Sequence, residues 1–317
     1  DLHKEYRRQR QMCIRDSMIQ ELIPLTRPRT LAAALGPTIL GAAFSYYAFG
    51  AAQGTGLAIF HTVLIFLAVV TAQIVANLWN EYKDFKSGLD AGQKVGNAGS
   101  ITRGVITPEL IITMIKVLMF VPIIIGLYLS ATITWYYIPV GFLCILISFL
   151  YSGGPKPISR TPFGEISSGI AMGFTIVLIT GYAWIRELSL ALLIPAIPST
   201  LLVGSIMLTN NIRDIRNDES HGRHTLPIVL GRERALSLMS ISYIFNFIWI
   251  IAWIIVGHMT WFALLAFLAA PLAFKTIRTL STNTDEFQLD KAMGTTAGAA
   301  MIYQLMWAIG LIMGKLF

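Results

Sequence analysis

The sequence predicts an all-α, polytopic membrane protein with about nine transmembrane helices. Composition is the first reason: of 317 residues, 55% are hydrophobic and 13% charged, and the mean hydropathy is +0.65. Soluble domains usually carry about a quarter charged residues. Distribution is the second. No Asp, Glu, Lys or Arg occurs from Thr30 to Asn80, Val117 to Pro155, Leu188 to Ile212, Ala235 to Phe274 or Ala292 to Gly314. The third is that these runs are continuously apolar rather than alternating, which argues against a β-barrel.

A membrane-spanning helix needs roughly 20 apolar residues. The first, second and fourth runs each hold two spans, with breaks near Ala52–Thr55, Ser130–Thr134 and Gly257–Thr260. With Ile166–Ile185 added, the expected spans are 30–50, 58–80, 109–129, 133–151, 164–185, 188–212, 235–256, 260–279 and 292–314. Lys275 and Arg278 crowd the end of the eighth.

Basic residues alternate between connections. Arg27 and Arg29 precede the first span; Lys83, Lys86, Lys94 and Arg103 follow the second; Lys156 and Arg160 follow the fourth. Arg213, Arg216, Arg223, Arg232 and Arg234 follow the sixth, and the other connections are nearly uncharged apart from Arg186 and Glu187. The positive-inside rule therefore places the N-terminus and these loops in the cytoplasm. The net charge of +7 reads as topology, and a nucleic-acid role would need a basic soluble domain that is not evident. No obligate protein partner is evident either. Asp1–Ser17 reads as a non-native or disordered leader, its arginine-rich run resembling translated sequencing adapter, so 18–317 is taken as one membrane domain. Cys13 and Cys144 offer neither a disulfide framework nor a CxxC metal site.

Two acidic clusters interrupt the apolar chain, each just beyond a long span. In the first, Asn80 and Asp84 share a face if the helix continues, and Asp90 follows Gly88, where the helix should end. An amide oxygen and two carboxylates suit a hard cation such as Mg²⁺, which is often held by carboxylates together with substrate phosphates. Glu81 points elsewhere. Helix capping and pairing with Lys83 or Lys86 would explain the same acids without a ligand. In the second cluster, Asn211, Asp214 and Asp218 are spaced as a stripe on one helical face. Arg223 beyond it matches phosphate oxygens, although an ordinary basic cytoplasmic loop would look similar. His221 and His224 lack further ligands at zinc spacing.

Between these clusters, Tyr151–Glu165 is rich in Gly and Pro and forms a compact turn carrying Lys156 and Arg160. Lys156 can act as a point charge against phosphate, and the stretch lacks P-loop spacing. Trp79, Tyr136, Tyr137, Phe149 and Tyr151 could line a slot for an apolar tail, or simply pack and form interfacial belts.

Taken together, Asn80/Asp84/Asp90, Asn211/Asp214/Asp218, Arg223–Pro227, Tyr151–Glu165, Val95–Gly104 and Thr26–Leu31 resemble the UbiA-type membrane prenyltransferases. The step from Asp84 to Asp90 is most similar to the branch of menaquinone biosynthesis that acts on 1,4-dihydroxy-2-naphthoate. The resemblance spans Met18 to Phe317, with Glu81 standing where the family commonly has an aspartate. It implies a nine-helix bundle around a central cavity in the cell membrane, with its site facing the cytoplasm. It implies Mg²⁺ held by Asp84, Asp90, Asp214 and Asp218, and a diphosphate bound by Asn80, Lys156, Asn211 and Arg223. The implied substrates are a polyprenyl diphosphate and 1,4-dihydroxy-2-naphthoate, with loss of CO₂ and diphosphate giving demethylmenaquinol. Arg103 is a candidate for binding the acceptor. Other aromatic acceptors (4-hydroxybenzoate, homogentisate or haem) are the near alternatives. A cation transporter is the distant one, although its carboxylates would more often sit at the membrane midplane.

Overall fold

A computed structural model describes residues 23–89 and 99–317. The leader, Asp90 and the first part of Val95–Gly104 lie outside the described residues. The long helices are α1 (Ala32–Phe49), α2 (Thr55–Ser87), α3 (Pro108–Thr132), α4 (Tyr137–Ser152), α5 (Gly164–Ile185) and α6 (Leu193–Arg213). Two short helices follow, α7 (Ile215–Ser220) and α8 (Leu226–Leu230). Three more long ones, α9 (Arg232–Ile255), α10 (Trp261–Thr282) and α11 (Glu286–Leu316), complete the chain. Among the described residues seven helices are long and apolar enough to cross a membrane. The other two expected spans are the shorter α1 and α4, of 18 and 16 residues.

Two boundaries differ from the hydropathy reading, and for the same reason. Apolar runs report where lipid begins, whereas helices stop where the backbone is capped. Thus α2 continues to Ser87 and ends at Gly88, whose left-handed backbone (φ 74°) lets its N–H reach the carbonyls of Asp84 and Phe85. Likewise α11 starts at Glu286, capped by the Asp285 carboxylate accepting from the Gln288 N–H at 3.1 Å, and so carries Asp290 on a helix.

Three layers follow from the contacts. α2, α3 and α4 pack together; α6, α9, α10 and α11 form a second group; α1 and α5 lie between them. Helices in lipid gain little from apolar burial alone and need close backbone approach. Gly169 and Gly173 supply it between α5 and α6: a Cβ at either would lie 2.6 Å from a backbone carbonyl oxygen of α6. Here α5 widens into a π-helical segment, Gly169–Phe174. The lipid face is visible as exposed Phe120, Ile124 and Phe142 on α3 and α4 and Ile241, Ile244 and Ile248 on α9. At the end opposite the acidic clusters, Arg186 donates to the carbonyl of Thr132 at 2.7 Å and to Gln53, neutralising the C-terminal end of α3.

Candidate active site

One face of α2 changes character along its length. Residues three and four apart are neighbours on a helix. Ile65, Val69 and Gln73 line an apolar cavity; Gln73, Asn77 and Asn80 line a polar chamber; and Asp84 stands a turn beyond. The expectation that Asn80 and Asp84 share a continuous helix holds. Asn80 Oδ1 accepts from Ser152 Oγ at 2.8 Å. Glu81, on another face, accepts from the backbone N–H groups of Gly99 and Ser100, both at 2.8 Å, and so anchors the returning chain.

The second cluster departs from the expected single stripe. α6 ends at Arg213, and Asp214 breaks the helix (φ −94°, ψ 6°) before α7 restarts. The three residues therefore face different partners. Asn211 Nδ2 donates to Glu165 Oε1 at 2.8 Å. Both oxygens of Asp214 accept from Arg213, through Nε and Nη2, each at 2.8 Å. Asp218 is buried and meets Arg223 Nη1 at 3.3 Å. The same guanidinium donates from Nη2 to Asp84 Oδ1 at 2.9 Å. Arg223 thus stands between the two acidic motifs, which are far apart in sequence.

The Gly/Pro-rich connection stitches this arrangement. Its first end supplies Ser152 to Asn80 and its last supplies Glu165 to Asn211. In between, Arg160 O accepts from the His224 N–H at 3.0 Å. Lys156 on this connection is exposed, and neither it nor the exposed Arg103 lines the chamber. Of the aromatic residues considered for a slot, Tyr137 lines the apolar cavity and Tyr151 the polar chamber. Trp79 instead packs on Phe149 and Tyr82, donating from its indole N–H to Phe149 O at 2.9 Å. Sequence reasoning missed Gln73, Glu165 and a site role for Arg27. The i, i+4, i+7 spacing of Gln73, Asn77 and Asn80 in an apolar helix was a usable signal. Arg27 was hidden among residues that topology already explained.

Among the described residues no three His, Cys, Asp or Glu side chains converge as a ready-made metal cage. The donor set still fits a hard cation: carboxylates from two separate motifs already share one positive group, Arg223. Mg²⁺ commonly takes only one or two carboxylates and completes its shell with water and substrate phosphates. Burial pushes the Asp218 carboxyl up to about 7, with the nearby Asp214 and Asp84 charges adding to it against the pull of Arg223. A carboxylate so placed gains by acquiring a cation.

The polar chamber encloses about 800 Å³ including its open mouth, with Arg27, Asn80, Asn211 and Arg223 in its wall. The apolar cavity, about 910 Å³ including its opening, lies between α2, α3, α4 and α5. Gln73, Ser148, Ala171 and Met172 line both, so the two spaces meet there. Two of those four come from the π-helical segment of α5. A charged head and a long apolar tail can therefore be held at once.

The chain is 35% identical over 305 residues to 1,4-dihydroxy-2-naphthoate octaprenyltransferase of Bacillus subtilis, covering 94% of each. It is 29% identical over 297 residues to the Mycobacterium tuberculosis protein of the same name, covering 92% of this chain and 96% of that one. Its fold matches a UbiA homolog from Aeropyrum pernix K1 with a TM-score of 0.67 at 18% identity, over 89% of this chain and 97% of that one. It also matches a UbiA homolog from Archaeoglobus fulgidus bound to DMAPP and Mg²⁺, with a TM-score of 0.58 at 17% identity over 92% and 99%. The profile of the UbiA prenyltransferase family matches residues 34–309. With most of its length matched in sequence and a helical bundle matched in space, the chain belongs to the UbiA prenyltransferase family.

Proposed function

We propose that this membrane protein transfers a polyprenyl group from a polyprenyl diphosphate to 1,4-dihydroxy-2-naphthoate at the cytoplasmic face of the cell membrane, releasing diphosphate and CO₂. The observation that carries the reading is the junction of the polar chamber, with Arg223 in its wall, and the apolar cavity at Gln73, Ser148, Ala171 and Met172. Relatives spanning nearly the whole chain bear the name of this activity, which supports the choice of acceptor.

The head of the donor belongs in the chamber and its tail in the apolar cavity, which sets the reacting carbon near the junction. Asp84, Asp214 and Asp218 would hold Mg²⁺, joined by Asp90 on the family resemblance. A divalent ion held by these residues would supply Lewis-acid neutralisation of the diphosphate oxygens. Arg223 is placed to turn from the carboxylates onto phosphate, where its planar fork offers paired hydrogen bonds. It then stabilises charge building on the leaving group. As the allylic C–O bond breaks, its electron pair leaves with the diphosphate; the electron-rich ring supplies the pair for the new C–C bond at the carboxylate-bearing carbon, and the ring–CO₂⁻ bonding pair returns to the ring as CO₂ departs, restoring aromaticity. Arg27 lines the chamber and suits the acceptor carboxylate better than the exposed Arg103 does. The apolar lining keeps water from the cation.

The test is direct. Membranes containing the protein are incubated with Mg²⁺, a polyprenyl diphosphate and each candidate aromatic acid, and products are identified by mass. Mg²⁺-dependent prenylated naphthoquinol is expected; its absence, with expression confirmed, rejects the reading, and product from another acid redirects it. Asp84→Asn and Asp214→Asn should each lower turnover by at least ~10²-fold while the protein stays folded.

A further inference from the structure

We propose that Asp290 is a positioning residue for Asp214, acting through Arg213 to set how strongly the site holds its divalent cation; this rests on the Mg²⁺-dependent reading above. Arg213 is largely buried at the end of α6. Its Nε and Nη2 each donate to one oxygen of Asp214 at 2.8 Å, and Nη2 also donates to Asn210 Oδ1 at 2.9 Å. Its Nη1 donates to Asp290 Oδ1 at 2.8 Å. One guanidinium at the end of α6 therefore serves two carboxylates, Asp214 at the break just beyond it and Asp290 on α11. Asp290 lies in neither acidic motif and does not line the chamber. The acid is placed by the early start of α11, which puts it on a capped helix rather than in a connection.

The arrangement has a consequence for charge. Arg213, Asp214 and Asp290 together carry one net negative charge. An ionised carboxylate has about four acceptor positions, and Arg213 occupies one on each Asp214 oxygen. The rest remain for a cation. Asp290 draws part of the guanidinium charge to itself, so Asp214 is oriented without being neutralised. With Asp290 uncharged, the trio would be neutral, Arg213 would bind Asp214 more tightly, and a divalent ion would meet a weaker ligand. Groups behind a metal ligand commonly change metal affinity by ~10–100-fold when altered. A merely mechanical tie between α6 and α11 would change stability and leave metal affinity alone.

The experiment uses the full chain, purified in detergent without substrate. Mn²⁺ serves as the probe, its free signal followed by electron paramagnetic resonance, and the melting temperature is recorded without metal. Asp290→Asn should weaken Mn²⁺ binding by ~10-fold, and Asp290→Glu, which keeps the charge, should restore it. Arg213→Lys keeps a charge but cannot bridge both carboxylates in one plane, so it should weaken binding as well. Unchanged Mn²⁺ affinity in a folded Asp290→Asn or Arg213→Lys protein overturns the proposal, even if the melting temperature falls. Absence of Mn²⁺ binding by the unsubstituted chain overturns the metal reading itself, and this inference with it.

Discussion

Arg223 bridges Asp84 and Asp218 in a nearly dry setting, its side chain only 11% exposed. Removing one partner from a buried ion pair leaves the other charges uncompensated, at a cost of about 3 kcal/mol or more. Arg223→Ala should therefore melt earlier without metal, and Mg²⁺ should raise its melting temperature more than it does for the unsubstituted protein. A second expectation concerns pH. The Asp218 carboxyl titrates near 7, above the ordinary carboxylate range, so its proton must leave before Mg²⁺ can bind. In the metal-free protein this raised value favours the fold at low pH, an advantage lost as pH rises through about 7. Metal binding has the opposite trend: Mg²⁺ affinity should be about tenfold weaker at pH 6 than at pH 8. A magnesium-induced melting shift that is larger at pH 8 would show it. That the acids fall in two clusters beyond long spans was legible from residue type and spacing. Their partners were not: nothing in the local sequence aims Arg223 at Asp84.

Element boundaries show where that legibility ends. All nine expected spans correspond to helices, because lipid demands that backbone polar groups be satisfied within each span. The break at Asp214 and the π-helical segment of α5 were not visible in hydropathy, since both depend on what the helix packs against. A Cβ on Gly173 would stand 2.6 Å from Ser199 O and from Thr200 Cα, where neither backbone can yield. Gly173→Val should cost about 1–3 kcal/mol by overpacking and disturb the adjacent Met172 wall of the chamber. Gly294 on α11 offers a control, since nothing lies within 4 Å of its would-be Cβ. Gly294→Ala should hold or gain up to ~1 kcal/mol through helix propensity. Melting temperatures in one detergent would compare the two.

At the scale of the molecule, the apolar cavity between α2 and α5 is the feature that should govern donor length. Gly126 and Gly141 line it, and a side chain at either would meet no neighbour within 4 Å at its Cβ. Gly141→Leu should therefore fold and partly fill the cavity. The expected result is a KM that rises for long polyprenyl diphosphates and changes little for short ones; an equal change for both would place the tail elsewhere. Sequence by itself determined the membrane class, the spans and the acidic clusters beyond them, because lipid selects residues by polarity one segment at a time. Only the tertiary structure decided that Arg223 joins the two motifs, that Arg27 rather than Arg103 reaches the chamber, and that Asp290 stands behind Asp214. Those meetings depend on how separate helices pack against one another, which no single segment encodes.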